Sequence, residues 1–310
     1  KIFNNFNFLN NKKKIDITIS AIPGISGLPP TIIMIKNSKK LFIANKEAII
    51  CGWNLISKEL KKNNTNFIPI DSEHFSIWSL LQNDTISKVE KVYLTASGGP
   101  FMKYPLKNFK NISLKQALKH PNWSMGKKIT IDSSTMMNKV FEIIEAKKIF
   151  NLSYRDLIIL THPKSYVHAI LKLNNGLTKI LLHEPDMKIP IFNSVYFKTY
   201  KKIKSKNLDI KILNNLEFNL INLKRFPLIK ILKLLPEKNS LFETILITVN
   251  DYFVLKFLEN KINYNELIKL ILKYSNYREF QKYKKKSVKN VEEIYKLRNY
   301  VSLKLDTLGI

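Results

Sequence analysis

Cysteine is all but missing from these 310 residues, with Cys51 the sole example. One thiol excludes an intrachain disulfide and any cysteine-built metal site, which fits a reducing compartment. Glycine is scarce at eight residues, and no G-x-G-x-x-G fingerprint occurs; "GISGLPP" (24–30) follows a strand-like segment but lacks that spacing. No apolar run reaches the roughly 20 residues of a membrane span. The most apolar late stretch, "LFETILITVNDYFVLKFL", is interrupted by Glu243, Asn250 and Asp251, so no membrane partner is expected. The chain starts at Lys1 with no signal-like apolar segment. Acidic residues are few, 24 against 52 basic ones, giving a formal charge of +28. Such an excess attracts anions in general. The lysines are nevertheless spread along the chain without a nucleic-acid motif, so nucleic acid is not the expected partner. The densest cluster, "QKYKKKSVKN" (281–290), reads equally well as a basic patch and as a solvated loop.

What is present suffices for two or three compact domains, since 45% of the chain is hydrophobic. "IDITIS" (15–20), "KLFIA" (40–44) and "TNFIPI" (65–70) read as strands. "PPTIIMIKN" (29–37), opened by prolines, and "KEAIICGWNLISKEL" (46–60) read as helices. This βαβαβ run predicts a parallel sheet with covering helices. Three strands are thin for such a sheet, so the start of that domain is expected to be missing. From Asp71 to about Ile191, "KVYLTA" (91–96), "KKITID" (127–132) and "LIILTH" (157–162) read as further strands between helices and glycine-bearing loops. Residues 197–238 read as a Lys/Asn-rich connection, and the chain from Ser240 has helical spacing. The expected fold is α/β: a partial Rossmann-like parallel-sheet domain (1–70), an α/β catalytic domain (71–196), a linker (197–238) and a C-terminal α-helical domain (239–310).

Several motifs carry chemistry. In "IDSSTMMNKVFE" (131–142), Met137, Phe141 and the following Ile144 form a burying stripe, while Asn138, Lys139 and Glu142 lean over one patch of the same helix. In "IPIDSEHF" (68–75), Asp71 and Glu73 are two apart at a strand end and face one point. With Glu142 they offer three oxygen donors suited to Mg²⁺ or Mn²⁺, although D-x-E alone reads more readily as a solvated strand end. In "LTASGGPF" (94–101), Ser97, Gly98 and Gly99 can form an anion-binding nest or an ordinary tight turn. Trp123 in "KHPNWSMGKK" (119–128) suits a loop that closes over a ligand, or one packed on itself. A helix starting at Ser133 and Ser134 would offer unpaired N–H groups to a phosphate, with the Ser133 hydroxyl, Asn138 and Lys139 beside it. Glu142, one turn on, would hold a cation.

"ANKEAII", "IPIDSEH", "LTASGGPF", "HPNWSMGKKITIDSSTMMNK" and "EPDMKIPI" occur in order, and together closely resemble the 1-deoxy-D-xylulose 5-phosphate reductoisomerase family of non-mevalonate isoprenoid biosynthesis. The resemblance runs from about Ile15 to the C-terminal helices. It implies reductive isomerisation of 1-deoxy-D-xylulose 5-phosphate to 2-C-methyl-D-erythritol 4-phosphate, with NADPH and Mn²⁺ or Mg²⁺ (Co²⁺ as a further option). Asp71, Glu73 and Glu142 match the metal ligands. Lys46, Ser72, Glu73, Ser97, His120, Ser133, Asn138, Lys139 and Glu142 match the substrate residues, with Lys46, Glu73, His120 and Glu142 catalytic. Asn45, Glu47 and Gly126 match NADPH contacts, and the Trp123 loop a flexible lid; His162 and His168 lie near the site without an assigned role. The implied mechanism has a metal chelating two substrate oxygens, a carbon–carbon bond broken and remade by retro-aldol and aldol steps, and hydride delivery to the resulting aldehyde.

Departures from the family pattern set further expectations. Its opening strand and Gly-rich nucleotide loop have no counterpart, so about half of the dinucleotide domain is expected to be absent. A fragment or a degraded copy would then bind NADPH far more weakly, and a non-catalytic basic binding protein is the alternative of a different class. Val140 stands where the family usually has Gly, and Lys164 where it usually has Gln. The resemblance also implies a homodimer and a cytoplasmic location, or a plastid-type organelle if an upstream targeting segment exists.

Overall fold

The computed structural model describes residues 13–197, 199 and 201–309, together with 5, 6 and 9; the other opening positions of the expected first domain lie outside the described residues. Strands β1 (Ile15–Ser20), β2 (Ser38–Ile43) and β3 (Asn66–Pro69) pair in parallel in that order. Helices α1 (Leu28–Asn37) and α2 (Lys46–Lys62) make the crossovers that parallel strands require. Prolines occupy the first turn of α1, where a missing N–H has no helical partner to lose. Asn45 caps α2 by accepting from the Ala48 N–H at 2.8 Å while its amide donates to the Ile22 and Gly24 carbonyls. All three strands end at one edge of the sheet, which brings the start of α2 beside the chain leaving β3.

That chain enters α3 (Ser72–Leu80), and β4 (Val89–Ala96), α4 (Leu114–Ala117), α5 (Lys127–Thr135), α6 (Met137–Phe150), β5 (Leu157–Thr161), β6 (Val167–Leu173), β7 (Thr178–Leu182) and α7 (Lys188–Val195) follow. After the coiled residues 201–209 come α8 (Ile210–Leu213) and β8 (Asn219–Leu220). The second sheet has the order β7-β6-β4-β5-β8, with β4 and β5 parallel and the other pairs antiparallel. Sequence reading overlooked the β6–β7 hairpin, although "NNG" at 174–176 marks its turn and Gly176 has φ +89°.

Three local expectations are corrected. "KKITID" is helical: Gly126 caps α5, and Thr130, Ile131, Ser134 and Thr135 are buried where the helix packs on its neighbours. Its alternation and β-branched residues favour a strand, and tertiary packing overrides them. Ser133 and Ser134 therefore close α5 instead of opening a helix. The break falls at Met136, a buried residue with φ 66° and ψ 10°, and α6 starts at Met137. Asp71 and Glu73 also lie beyond the strand: Asp71 caps α3 and Glu73 is in its first turn. Their common direction comes from a helix start, not a pleat.

A 3₁₀ segment at Pro227–Leu234 buries Leu228 and Ile231 before the helices α9 (Phe242–Leu258), α10 (Tyr264–Ser275) and α11 (Val291–Thr307). The polar residues that interrupt the apolar run of α9 have partners: Glu243 lies 3.2 Å from the Lys148 ammonium, and the Asn250 amide donates to Asp132 at 2.8 Å. The main apolar core runs from Ile25 to Leu305, a smaller cluster gathers Phe42, Ile68 and Ile70 on the other side of the first sheet's strands, and α9 packs on both α2 and α5. Among the described residues, no helix is long and apolar enough to cross a membrane.

Candidate active site

Asp71, Glu73 and Glu142 each offer a carboxylate oxygen within 4.8 Å of the others. The Asp71 Oδ1 atom accepts from the Glu73 N–H at 3.2 Å, as an N-cap does. Glu142 comes from the second turn of α6, where Asn138 four residues earlier donates to it. Two ammonium groups face the three carboxylates. Lys46 Nζ pairs with Asp71 and lies 3.4 Å from Glu142 Oε1; Lys139 Nζ pairs with Glu142 and lies 2.9 Å from Glu73 Oε1. His74 joins the two carboxylate-bearing elements, with Nδ1 3.0 Å from Asp71 Oδ1 and Nε2 2.9 Å from the Glu142 carbonyl oxygen.

The charges decide the protonation states. Burial alone would raise the Asp71 carboxyl, but Lys46 and His74 outweigh it and hold Asp71 well below the usual range. Burial, joined by the Glu73 charge, pushes Glu142 up, and burial drives Glu145 up to about 7. Burial would lower Lys46, yet Asp71, Glu142 and Glu145 keep it well above the ordinary lysine value, so it stays a cation. Burial would raise Glu73 as well, but the Lys139 ammonium outweighs it and holds Glu73 below its ordinary range, so Asp71 and Glu73 are stabilised as anions. With all donors oxygens, the set fits a hard divalent cation and not a thiolate-seeking one.

A cavity of about 250 Å³ opens beside them. All nine expected substrate residues line it: Lys46, Ser72, Glu73, Ser97, His120, Ser133, Asn138, Lys139 and Glu142. Gly98 and Gly99 have φ +85° and +62°, and the Gly99 N–H donates to Ser97 Oγ at 3.0 Å. His120 Nδ1 accepts from the backbone N–H groups of Asn122 and Trp123 at 3.2 and 3.0 Å, so the proton sits on Nε2, 3.2 Å from Ser97 Oγ. Burial lowers this imidazole to about 4, leaving a neutral donor. Trp123 is half-buried at the cavity wall, edge-on to His168 at 6.1 Å between centroids.

Other expected positions lie outside the cavity lining. Asn45 is engaged as the α2 cap. The Glu47 carboxylate lies 2.8 Å from Lys128 Nζ, which also meets Asp251 at 2.9 Å and Asp132 at 3.3 Å. Gly126 is exposed at the start of α5, and among the described residues no heavy atom beyond its chain neighbours and its own helix backbone lies within 4 Å of where its Cβ would be. That leaves room for a ligand backbone at a helix N-terminus. His162 bonds the Glu217 carbonyl at 2.9 Å and stacks on Phe218, whereas buried His168 lines the cavity and stacks on His183 at 3.9 Å. Val140 is fully buried in the core, and Lys164 is exposed. Sequence reading missed His74 and Glu145. Their signal was helical spacing: each lies three residues after an expected ligand, Asp71 or Glu142.

Family models match residues 4–52 (1-deoxy-D-xylulose 5-phosphate reductoisomerase), 67–150 (its C-terminal domain) and 182–301 (DXP reductoisomerase C-terminal domain). The chain is 59% identical to the 1-deoxy-D-xylulose 5-phosphate reductoisomerase of Pelagibacter ubique, an alignment that covers all of this chain and 81% of that protein. It is 40% identical to the one from Sulfurihydrogenibium sp., over 83% of this chain and 68% of the relative. Among solved structures, DOX-P reductoisomerase in complex with NADPH, fosmidomycin and magnesium superposes with a TM-score of 0.86 at 31% identity, covering 96% of this chain and 76% of that one. The Zymomonas mobilis enzyme in complex with NADPH gives 0.82 at 27% identity, covering 94% and 75%.

Proposed function

This chain belongs to the 1-deoxy-D-xylulose 5-phosphate reductoisomerase family, and on that premise we propose that the carboxylate-lined cavity is where it carries out the family's reaction. That reaction is the NADPH- and divalent-metal-dependent conversion of 1-deoxy-D-xylulose 5-phosphate to 2-C-methyl-D-erythritol 4-phosphate, an NADP-linked oxidoreductase step of isoprenoid biosynthesis. The observation that carries the assignment is the meeting of Asp71, Glu73 and Glu142 within 4.8 Å beside a pocket of hydroxyl, amide, imidazole and ammonium donors.

Asp71, Glu73 and Glu142 are the residues that would hold Mn²⁺ or Mg²⁺, which when bound polarises a substrate carbonyl and lowers the cost of an alkoxide. Asn45, Glu47 and Gly126 mark the side on which NADPH would lie, to supply hydride. The chain's own groups do the remaining work. Ser97, Ser133, Asn138 and Lys139 supply hydroxyl, amide and ammonium donors for the phosphate, anchoring the substrate away from the reacting carbons. Ser72 borders the carboxylates. Lys46 remains protonated and stabilises negative charge that develops on a substrate oxygen. His120 donates from Nε2, and Trp123 shields the reactive carbons from water.

The intact site disfavours the basic-binding alternative. A homodimer is the proposed assembly, supported by β7, an edge strand that leaves Ile180 45% exposed. A cytoplasmic location is supported by the lone, buried Cys51 thiol. The test of the reaction is NADPH oxidation followed spectrophotometrically with the sugar phosphate and Mn²⁺. Turnover should be lost on adding EDTA and fall about 100- to 1,000-fold in Glu142→Gln, the scale of removing a transition-state charge stabiliser. Undiminished turnover in Glu142→Gln would refute the metal assignment.

A further inference from the structure

Ser133 faces the cavity from the last turn of α5, and the residues on either side of it are held by the C-terminal helices. On one side, Asn250 of α9 donates from Nδ2 to Asp132 Oδ1 at 2.8 Å. On the other, the Tyr264 hydroxyl of α10 donates to the Ser134 carbonyl at 2.8 Å and lies 3.3 Å from Ser134 Oγ. All four residues are at most 2% exposed. We propose that Asn250 and Tyr264 are positioning residues for the sugar phosphate: they fix the turn that presents Ser133, without touching the substrate themselves. The inference rests on the reading of Ser133 as a phosphate donor.

The local backbone explains why such support is needed. The left-handed turn at Met136 ends α5, so carbonyls of its last turn lose the donors that a continuing helix would supply. The Tyr264 hydroxyl satisfies that of Ser134. Tyr264 has little freedom to do otherwise, because its ring packs edge-on against Phe101, Phe109 and Phe257 at 5.0, 6.2 and 5.9 Å. Successive helical residues point about 100° apart, so holding residues 132 and 134 sets the direction of residue 133. A third side is closed by Gly99, whose Cβ position lies 3.1 Å from the Ser133 carbonyl oxygen. The three carboxylates belong to the start of α3 and to α6, so metal binding is an internal control.

The experiment measures dissociation constants for 1-deoxy-D-xylulose 5-phosphate and for Mn²⁺, with KM and kcat, in the full chain and in Tyr264→Phe and Asn250→Ala. Tyr252→Phe, which removes a hydroxyl bonded to Asp306 on the exposed side of α9, is the control. Sugar-phosphate affinity should fall about five- to tenfold in both variants, the scale of one buried hydrogen bond. KM should rise with it, while kcat, Mn²⁺ affinity and the control stay within about twofold. If either variant fails to fold, the other decides. Unchanged sugar-phosphate affinity, or a fall shared equally by Mn²⁺, overturns the inference alone. Absence of sugar-phosphate binding in the unaltered chain overturns the reading of the cavity and the inference with it.

Discussion

His120 shows how far environment sets the role of one side chain. Two backbone N–H groups occupy Nδ1, and burial lowers the imidazole to about 4 from an ordinary 6.5. Because the folded value lies below the unfolded one, its contribution to stability is complete above pH 6.5 and is lost as pH falls toward 4. His120→Asn should therefore flatten the decline in melting temperature between pH 6.5 and 4, measured by thermal scans at a series of pH values; an unaltered slope would mean the imidazole is not held neutral. At this scale the sequence was informative where residue type limits the chemistry. Asp71, Glu73 and Glu142 were recognisable as oxygen donors by residue type, but D-x-E alone suggested a solvated strand end, and it was the family resemblance that implied a shared ligand set. The link made by His74, and the partners of Asp132 and Ser134, were not legible, since they depend on segments 68, 118 and 130 residues apart that only folding unites.

Among the elements, the first parallel sheet was legible because its short apolar strands are bounded by proline, asparagine and helix starts. Helix α5 was not, because "KKITID" alternates like a strand and its helical state follows from what it packs against. That misreading also shifted the expected phosphate-binding helix start from Met137 to Ser133. The α5–α6 break is pressed by the Gly98–Gly99 turn, and this gives a test. Gly99→Ala adds a Cβ 3.1 Å from both the Ser133 carbonyl oxygen and Ser134 Cα at a φ of +62°. The strain should cost about 1–3 kcal/mol, seen as a lower melting temperature, and a displaced Ser133 should raise KM for the sugar phosphate. A variant with wild-type KM would show that the turn does not set Ser133.

For the whole molecule, a formal charge of +28 is the dominant electrostatic fact. Charges of one sign repel most in the compact state. Raising ionic strength from about 10 mM to about 200 mM, which shortens the Debye length to less than 10 Å, should raise the melting temperature; a flat response would mean that local pairs such as Lys46–Asp71 already neutralise the strain. The packing of residues 197–238 was not legible from composition, since their Lys/Asn content masks Leu228, Ile229 and Ile231 in the core and the two residues of β8 that extend the second sheet.

The apolar core that runs from Ile25 to Leu305 has one more consequence. Residues 201–209 form an almost wholly exposed coil, well placed for a limited protease. Cleavage there severs the polypeptide but none of the packing between α9 and helices α2 and α5. The two pieces should travel together through size exclusion and separate only in denaturant.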